Sequence, residues 1–327
     1  MTSRRVPERR GLAALIVIAA VWGAAATHAT TREGYVDVGG GVRLHYVDAG
    51  DRGAPATIVL IPGWCMTTAV WRDQIAALAA TARVIAIDPR SQGRSTVTAW
   101  SNTPEQRAQD LRHLMTALRL TRVVLVGWSQ GVQAVIAYAS AFQGADIAAY
   151  VLVDAPVSAG AAAVTAHPEE LAAELERLSL YERQPREYLE GMMRAIIRSP
   201  QGRSRIGAYV DDALRTPPDL GITMLLMDFM TVDRRAALPG INRPTLVIAA
   251  AGSDELDAQR EMASRIPGAR LEIIDRAGHA VFLDQPGPFH DVLAEFVRQV
   301  AAVPAGQGRS AGSPDTLARA TVPPTRS

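Results

Sequence analysis

No lysine occurs anywhere in the 327 residues, so all 34 Lys-plus-Arg positions are arginine. Schiff-base or other lysine-dependent catalysis is thereby excluded. So uniform a replacement marks a composition bias across a genome rather than 34 sites that each need a guanidinium. Cysteine is nearly absent as well. Cys65 stands alone, which rules out an intramolecular disulfide and any multi-cysteine metal site, while saying nothing about compartment, since exported proteins also do without disulfides. Aromatic residues make up only 5% and the formal net charge is +1, so no electrostatic field suited to nucleic acid or another polyanion is implied.

Apolar residues, by contrast, reach 48%, and much of that share is Ala and Val, which suits helices packed on a parallel sheet. The chain is long enough for one large domain carrying an insertion. At its start, Arg4, Arg5, Arg9 and Arg10 precede an uncharged run from Gly11 to Thr31. The apolar stretch Leu12 to Ala26 has the length of a secretory h-region and is short for a spanning helix. Residues 1–31 therefore read as a signal peptide or, if uncleaved, a membrane anchor, with Ala24 to Ala26 or Thr27 to Ala29 as the small-residue cleavage site. Export to the periplasm or exterior is expected, with membrane contact only through this segment.

From Tyr35 onward, short apolar strands alternate with helical stretches. Eight strands are expected: Tyr35 to Val38, Arg43 to Asp48, Thr57 to Ile61, Arg83 to Ile87, Val123 to Val126, Tyr150 to Val153, Thr245 to Ala249 and Arg270 to Ile274. This βαβ alternation predicts a mostly parallel sheet with helices on both faces, opening with an antiparallel hairpin at Gly39-Gly40-Gly41. Between Val153 and Thr245 no strand pattern appears. We read residues 157–238 as an inserted helical cap, 32–156 with 239–303 as the catalytic domain, and the Pro-, Gly- and Ser-rich 304–327 as a disordered tail.

Val123 to Val126 runs directly into Gly127-Trp128-Ser129-Gln130-Gly131, followed by a helical pattern. This is a G-x-S-x-G elbow in its strand-turn-helix setting, which lifts the Ser129 hydroxyl above the sheet at a helix N-terminus. With Leu44 to Gly50, Ile61-Pro62-Gly63-Trp64 and Ile87 to Ser95, it resembles the α/β-hydrolase family over residues 35 to 300. Two departures are Pro62-Gly63, where members usually carry His-Gly, and Arg90-Ser91-Gln92-Gly93, where they carry Arg-Gly-x-Gly.

The resemblance implies an α/β-hydrolase fold and a Ser-acid-His triad. It makes Ser129 the nucleophile, His279 in Gly278-His279 the base, and the backbone N–H groups of Trp64 and Gln130 the oxyanion hole. For the acid it favours Asp254 in the loop after Thr245 to Ala249, although Gly252-Ser253-Asp254 is one residue shorter than the usual spacing. Asp154, one strand earlier, and Asp257 are the alternatives. Asp88 and Arg90 are implied to be a loop-organising pair, and Cys65 a small buried hydrophobe. Trp64 either packs against substrate or belongs to the core.

With no cofactor or metal motif, the expected reaction is cleavage of a carboxylic ester or lactone through an acyl-enzyme, on a small and hydrophobic substrate. The cap residues Met192, Met193, Met224, Met227, Phe229 and Met230 could supply its apolar wall or simply pack the helices. Alternatives are a cofactor-free haloperoxidase-like perhydrolase, a C–C bond hydrolase and, in another class, a ligand-binding receptor on this fold. Serine at the elbow argues against the branches that use aspartate there.

Overall fold

The computed structural model describes residues 31–142 and 146–302. The readings of the N-terminal signal or anchor and of the tail at 304–327 fall outside them, Thr31 apart. Eight strands form one sheet: β1 (Arg32–Asp37), β2 (Arg43–Ala49), β3 (Thr57–Ile61), β4 (Arg83–Ile87), β5 (Val123–Trp128), β6 (Ile147–Val153), β7 (Thr245–Ala250) and β8 (Arg270–Ile274). Their spatial order is β1-β2-β4-β3-β5-β6-β7-β8. Only β1 with β2 and β2 with β4 pair antiparallel; every other neighbour is parallel.

Alternation along the strands divides the core in two. Ile58 and Leu60 of β3 pack on one face with Trp71, Trp128, Phe282 and Phe289. Their neighbours Val59 and Ile61 face the other layer, with Leu111, Val135 and Met262. Both faces are covered, and β3, β4 and β5 are buried at every residue, which is why their sequences read as continuous apolar runs.

Helices α1 (Arg72–Leu78), α2 (Pro104–Ala117) and α3 (Gln130–Ala141) belong to the first half of the chain. Thr103 shows how α2 starts: its hydroxyl accepts from Gln106 N at 3.2 Å, and Pro104 fills the first turn, where no donor is needed. Between β6 and β7 come six helices, α4 (Gly160–Thr165), α5 (Pro168–Arg183), α6 (Pro185–Ile196), α7 (Pro200–Arg203), α8 (Ile206–Ala213) and α9 (Pro218–Phe229). Four of these begin at Pro168, Pro185, Pro200 and Pro218, each in a first turn where no backbone donor is needed. The two ends of the insertion meet at a backbone bridge between Ala159 and Asp233. Helices α10 (Leu256–Arg265), α11 (Val281–Asp284) and α12 (Pro286–Ala302) complete the chain.

The parallel register decides where side chains can meet. Gly127 of β5 lies level with Ile61 of β3 and Leu152 of β6, and Val153 lies level with Ile248 of β7. The loops leaving β3, β5, β6 and β7 therefore emerge side by side at the carboxyl edge, where ligands bind in open α/β sheets.

Candidate active site

Ser129 occupies the turn between β5 and α3 with φ 55° and ψ −121°, a left-handed backbone that a serine adopts only under constraint. The constraint is visible on both sides. A Cβ on Gly127 would stand 2.4 Å from the Gly131 carbonyl oxygen, and one on Gly131 would stand 2.7 Å from that of Ile61. Only glycine at these two positions lets the strand, the turn and the neighbouring strand β3 approach so closely. Ser129 N donates to Val153 O at 3.0 Å, which ties the elbow to β6.

His279 lies between β8 and α11. Its backbone oxygen accepts from the Trp128 indole at 2.9 Å, and its ring stands 5.5 Å from that indole, centroid to centroid. His279 is thus anchored to the residue preceding Ser129. Its Nδ1 lies 2.9 Å from Asp154 Oδ2, and its side chain is 27% exposed while that of Asp154 is 0% exposed. Asp154 also sits at positive φ, 45°. Its Oδ1 accepts from Ala250 N at 2.7 Å and from Gln259 Nε2 at 3.2 Å.

The expectation that Asp254 reaches His279 is therefore corrected: the carboxylate on the imidazole is Asp154. Asp254 is exposed, and Asp257 is fully exposed opposite Arg260. The physical reason is the short loop. Ser253 N returns to Ala250 O at 3.1 Å, Leu256 N to Ser253 O at 3.3 Å, and α10 begins at once. That tight turn carries Asp254 outward and leaves Ala250 N and Gln259 on the inner side. Sequence reading missed Gln259, because no motif distinguishes it from an ordinary helix glutamine.

The loop after β3 lies over Ser129. A Cβ on Gly63 would stand 3.1 Å from Ser129 Cβ and 3.2 Å from Trp128 Cε3. Gln130 is the first residue of α3, so its N–H has no carbonyl partner within the helix. The indole of Trp64 donates to Gly221 O at 2.8 Å and packs edge-on against Tyr181, with ring centroids 4.9 Å apart. It belongs to the seam between this loop and the inserted helices. Cys65, fully buried beside it, has its thiol pushed up to about 12 by burial. It sits at left-handed φ, 56°, and its sulfur is 3.7 Å from the Tyr181 hydroxyl. Such a thiol is an inert packing group.

Asp88 and Arg90 organise their loop, but not as a pair. Asp88 accepts from Thr68 N at 2.7 Å, Arg94 N at 2.9 Å and bonds His45 Nδ1 at 2.9 Å. Arg90 instead makes a bidentate bridge to Asp110, both contacts at 2.6 Å. Of the cap methionines, Met193 and Met224 are wholly packed in the core, whereas Met192, Met227 and Met230 are half-buried. A second buried bridge, Arg107 of α2 with Asp228 of α9, ties the insertion to the sheet domain. Burial pushes the Asp228 carboxyl above its usual range, against the pull of Arg107 and Arg234.

A cavity of about 270 Å³ opens at the root of the insertion, lined by Pro156, Val157, Phe229, Leu238, Met262 and Glu255, among others. Glu255 is exposed overall, yet its carboxyl is desolvated beside this cavity. Burial pushes that carboxyl up, His279 pulls it down, and the charges of Asp154 and Asp254 push it up again. Among the described residues, one grouping has the proximity of metal ligands, His167 with Glu169 and Glu170. It is exposed on the insertion and shares no residue with this site.

Comparison with solved structures agrees with the architecture. A bromoperoxidase from Bacillus anthracis superposes with a TM-score of 0.71 at 22% identity, covering 82% of this chain and 100% of that one. An esterase from Exiguobacterium antarcticum gives 0.71 at 20% identity, with 81% and 98% covered. The enol-lactonase from Burkholderia xenovorans LB400 gives 0.68 at 25% identity, with 81% and 100% covered. Residues 58–292 match the alpha/beta hydrolase family, and with that match, the sheet order and the strained serine turn together, the chain belongs to this family.

Proposed function

We propose that the protein is a serine hydrolase that cleaves small carboxylic esters or lactones through an acyl-enzyme, with Ser129 as nucleophile, His279 as base and Asp154 as acid. The observation that carries this reading is the 2.9 Å contact from His279 Nδ1 to the wholly buried Asp154 carboxylate, beside a serine held at φ 55°. Asp154 holds the proton on Nδ1, so Nε2 is left as the acceptor for the Ser129 proton. Ser129 Oγ then attacks the carbonyl carbon, and the N–H groups of Trp64 and Gln130 receive the negative oxygen. Collapse breaks the bond to the alkoxy group, which leaves with the proton from His279. Water repeats the sequence on the acyl-enzyme and releases the acid.

Relatives of the same fold include an esterase and a lactonase, which supports the ester or lactone class. The test is a fluorophosphonate probe followed by a panel of p-nitrophenyl esters and lactones. Stoichiometric labelling at Ser129 with turnover of one class supports the proposal. Absence of both would point instead to a ligand-binding descendant.

A further inference from the structure

We infer that Gln259 is a positioning residue for the acid of the triad, fixing Asp154 so that Oδ2 alone is presented to His279. The inference rests on the proposed serine-hydrolase reading and extends it to the loop in which the acid was expected. Gln259 is completely buried on α10, and its side-chain amide is shared between Asp154 Oδ1 at 3.2 Å and Ser253 Oγ at 3.1 Å. The Ala250 N–H, at 2.7 Å, meets the same carboxylate oxygen. A carboxylate accepts only, so the donor end of the amide must face it.

That orientation leaves Gln259 Oε1 buried with no partner. A buried acceptor without a bond costs stability, and a leucine of similar volume would fill the position without that cost. Stability alone therefore does not explain the glutamine; its bond to the acid does. Among the described residues the only ion-pair partner of Asp154 is His279, so neutral donors must hold its other oxygen. Ala250 N and, one turn into α10, Gln259 Nε2 supply them, and Ser253 Oγ braces the arrangement by accepting from Glu255 N at 3.4 Å as well.

Other charged groups surround this cluster and must be held constant. Glu255 and Asp254 lie in the same loop. Arg198 reaches across from the insertion to Gly252 O at 3.1 Å, and Asp284 of α11 holds Gly278 N at 2.8 Å. The decisive variants leave all four in place. Gln259→Glu keeps the size and, once ionised, turns a donor into a second carboxylate against Asp154. Added negative charge favours the imidazolium, so the acid limb of the kcat/KM profile should move alkaline by roughly half a pH unit or more. Gln259→Leu removes the donors without adding charge. It should lower kcat about tenfold with KM within about twofold and the melting temperature nearly unchanged.

A merely structural role predicts the reverse for the Leu variant: a lower melting temperature, with kcat per folded molecule as in the wild type. That result would overturn the inference. If the Glu variant does not fold, the kcat of the Leu variant decides. If the unaltered protein hydrolyses nothing, the proposed function fails by itself. The Nδ1–H proton resonance of His279, assigned with His279→Asn, still tests the positioning: a changed resonance in the Leu variant supports it, and an unchanged one refutes it.

Discussion

Replacing Asp154 by Asn changes one atom and reverses one proton. In the native site Oδ1 already takes two donors, Ala250 N at 2.7 Å and Gln259 Nε2 at 3.2 Å. The asparagine must therefore put its carbonyl there, because an NH2 group facing two N–H donors would leave all three unmatched inside a buried site. Its NH2 then points at His279 Nδ1, the position held by Oδ2 at 2.9 Å. Nδ1 becomes an acceptor, the proton moves to Nε2, and the ring presents a donor to Ser129 where an acceptor is needed. With the wrong tautomer and no carboxylate to stabilise the imidazolium, kcat should fall about 10⁴-fold, about 5.5 kcal/mol at 1.36 kcal/mol per decade. Asp254→Asn, at an exposed position, should leave kcat within about twofold by the same reasoning. The assay is steady-state hydrolysis of a p-nitrophenyl ester at neutral pH, with circular dichroism melting to show that both variants fold. An Asp254→Asn enzyme that is dead, beside an Asp154→Asn enzyme within tenfold of wild type, would refute the reasoning.

Ser129→Ala should fold normally and lose roughly 10⁴-fold or more in kcat, with no fluorophosphonate labelling; a tenth of the wild-type rate remaining would refute Ser129 as nucleophile. The native Cys65 thiol, buried and pushed up to about 12, should resist iodoacetamide at pH 8 for hours and react within minutes once the protein is unfolded in urea. Arg107→Met strands the buried Asp228 carboxylate and should cost about 3–5 kcal/mol in urea unfolding, much of it recovered in Arg107→Met/Asp228→Leu; equal losses in the two would show that the bridge carries no such coupling. If the arginine-rich start is an export signal, mature protein from the cell envelope begins between about Ala25 and Thr31, and N-terminal sequencing that finds residue 1 or 2 on a cytoplasmic product excludes it.

The strands were legible because each is a local pattern: burial on both faces makes a run such as Val123 to Val126 apolar throughout. The elbow was legible because backbone crowding at Gly127 and Gly131 admits one residue type, so geometry leaves a mark on the letters. The proposed acid, Asp154, left no such mark. Two aspartates end two adjacent parallel strands or loops, and the choice between them depends on how one missing residue tightens the turn at Ala250 to Leu256. That is a matter of three-dimensional direction rather than of residue type. Gln259 was invisible for a related reason: its partner lies 105 positions away, and only the closing of β6 against β7 brings the two together. The bridge of Arg107 with Asp228 spans 121 positions and is hidden in the same way.

In the proposed triad, the placement of Asp154 at the end of β6 also orders the working parts along the covalent chain. The polypeptide passes Ser129 and Asp154 before it enters the inserted helices at Gly160, and meets His279 only after leaving them. A single cut between Gly160 and Phe229 thus yields one fragment with Ser129 and Asp154 and another with His279, and turns the bond between His279 and Asp154 into a contact between two molecules. Neither fragment can then carry the chemistry alone, and hydrolysis would become a readout of their association. The helical insertion is therefore a natural joint at which to divide the protein into a split reporter, one whose signal depends on the pairing of β6 with β7 being restored.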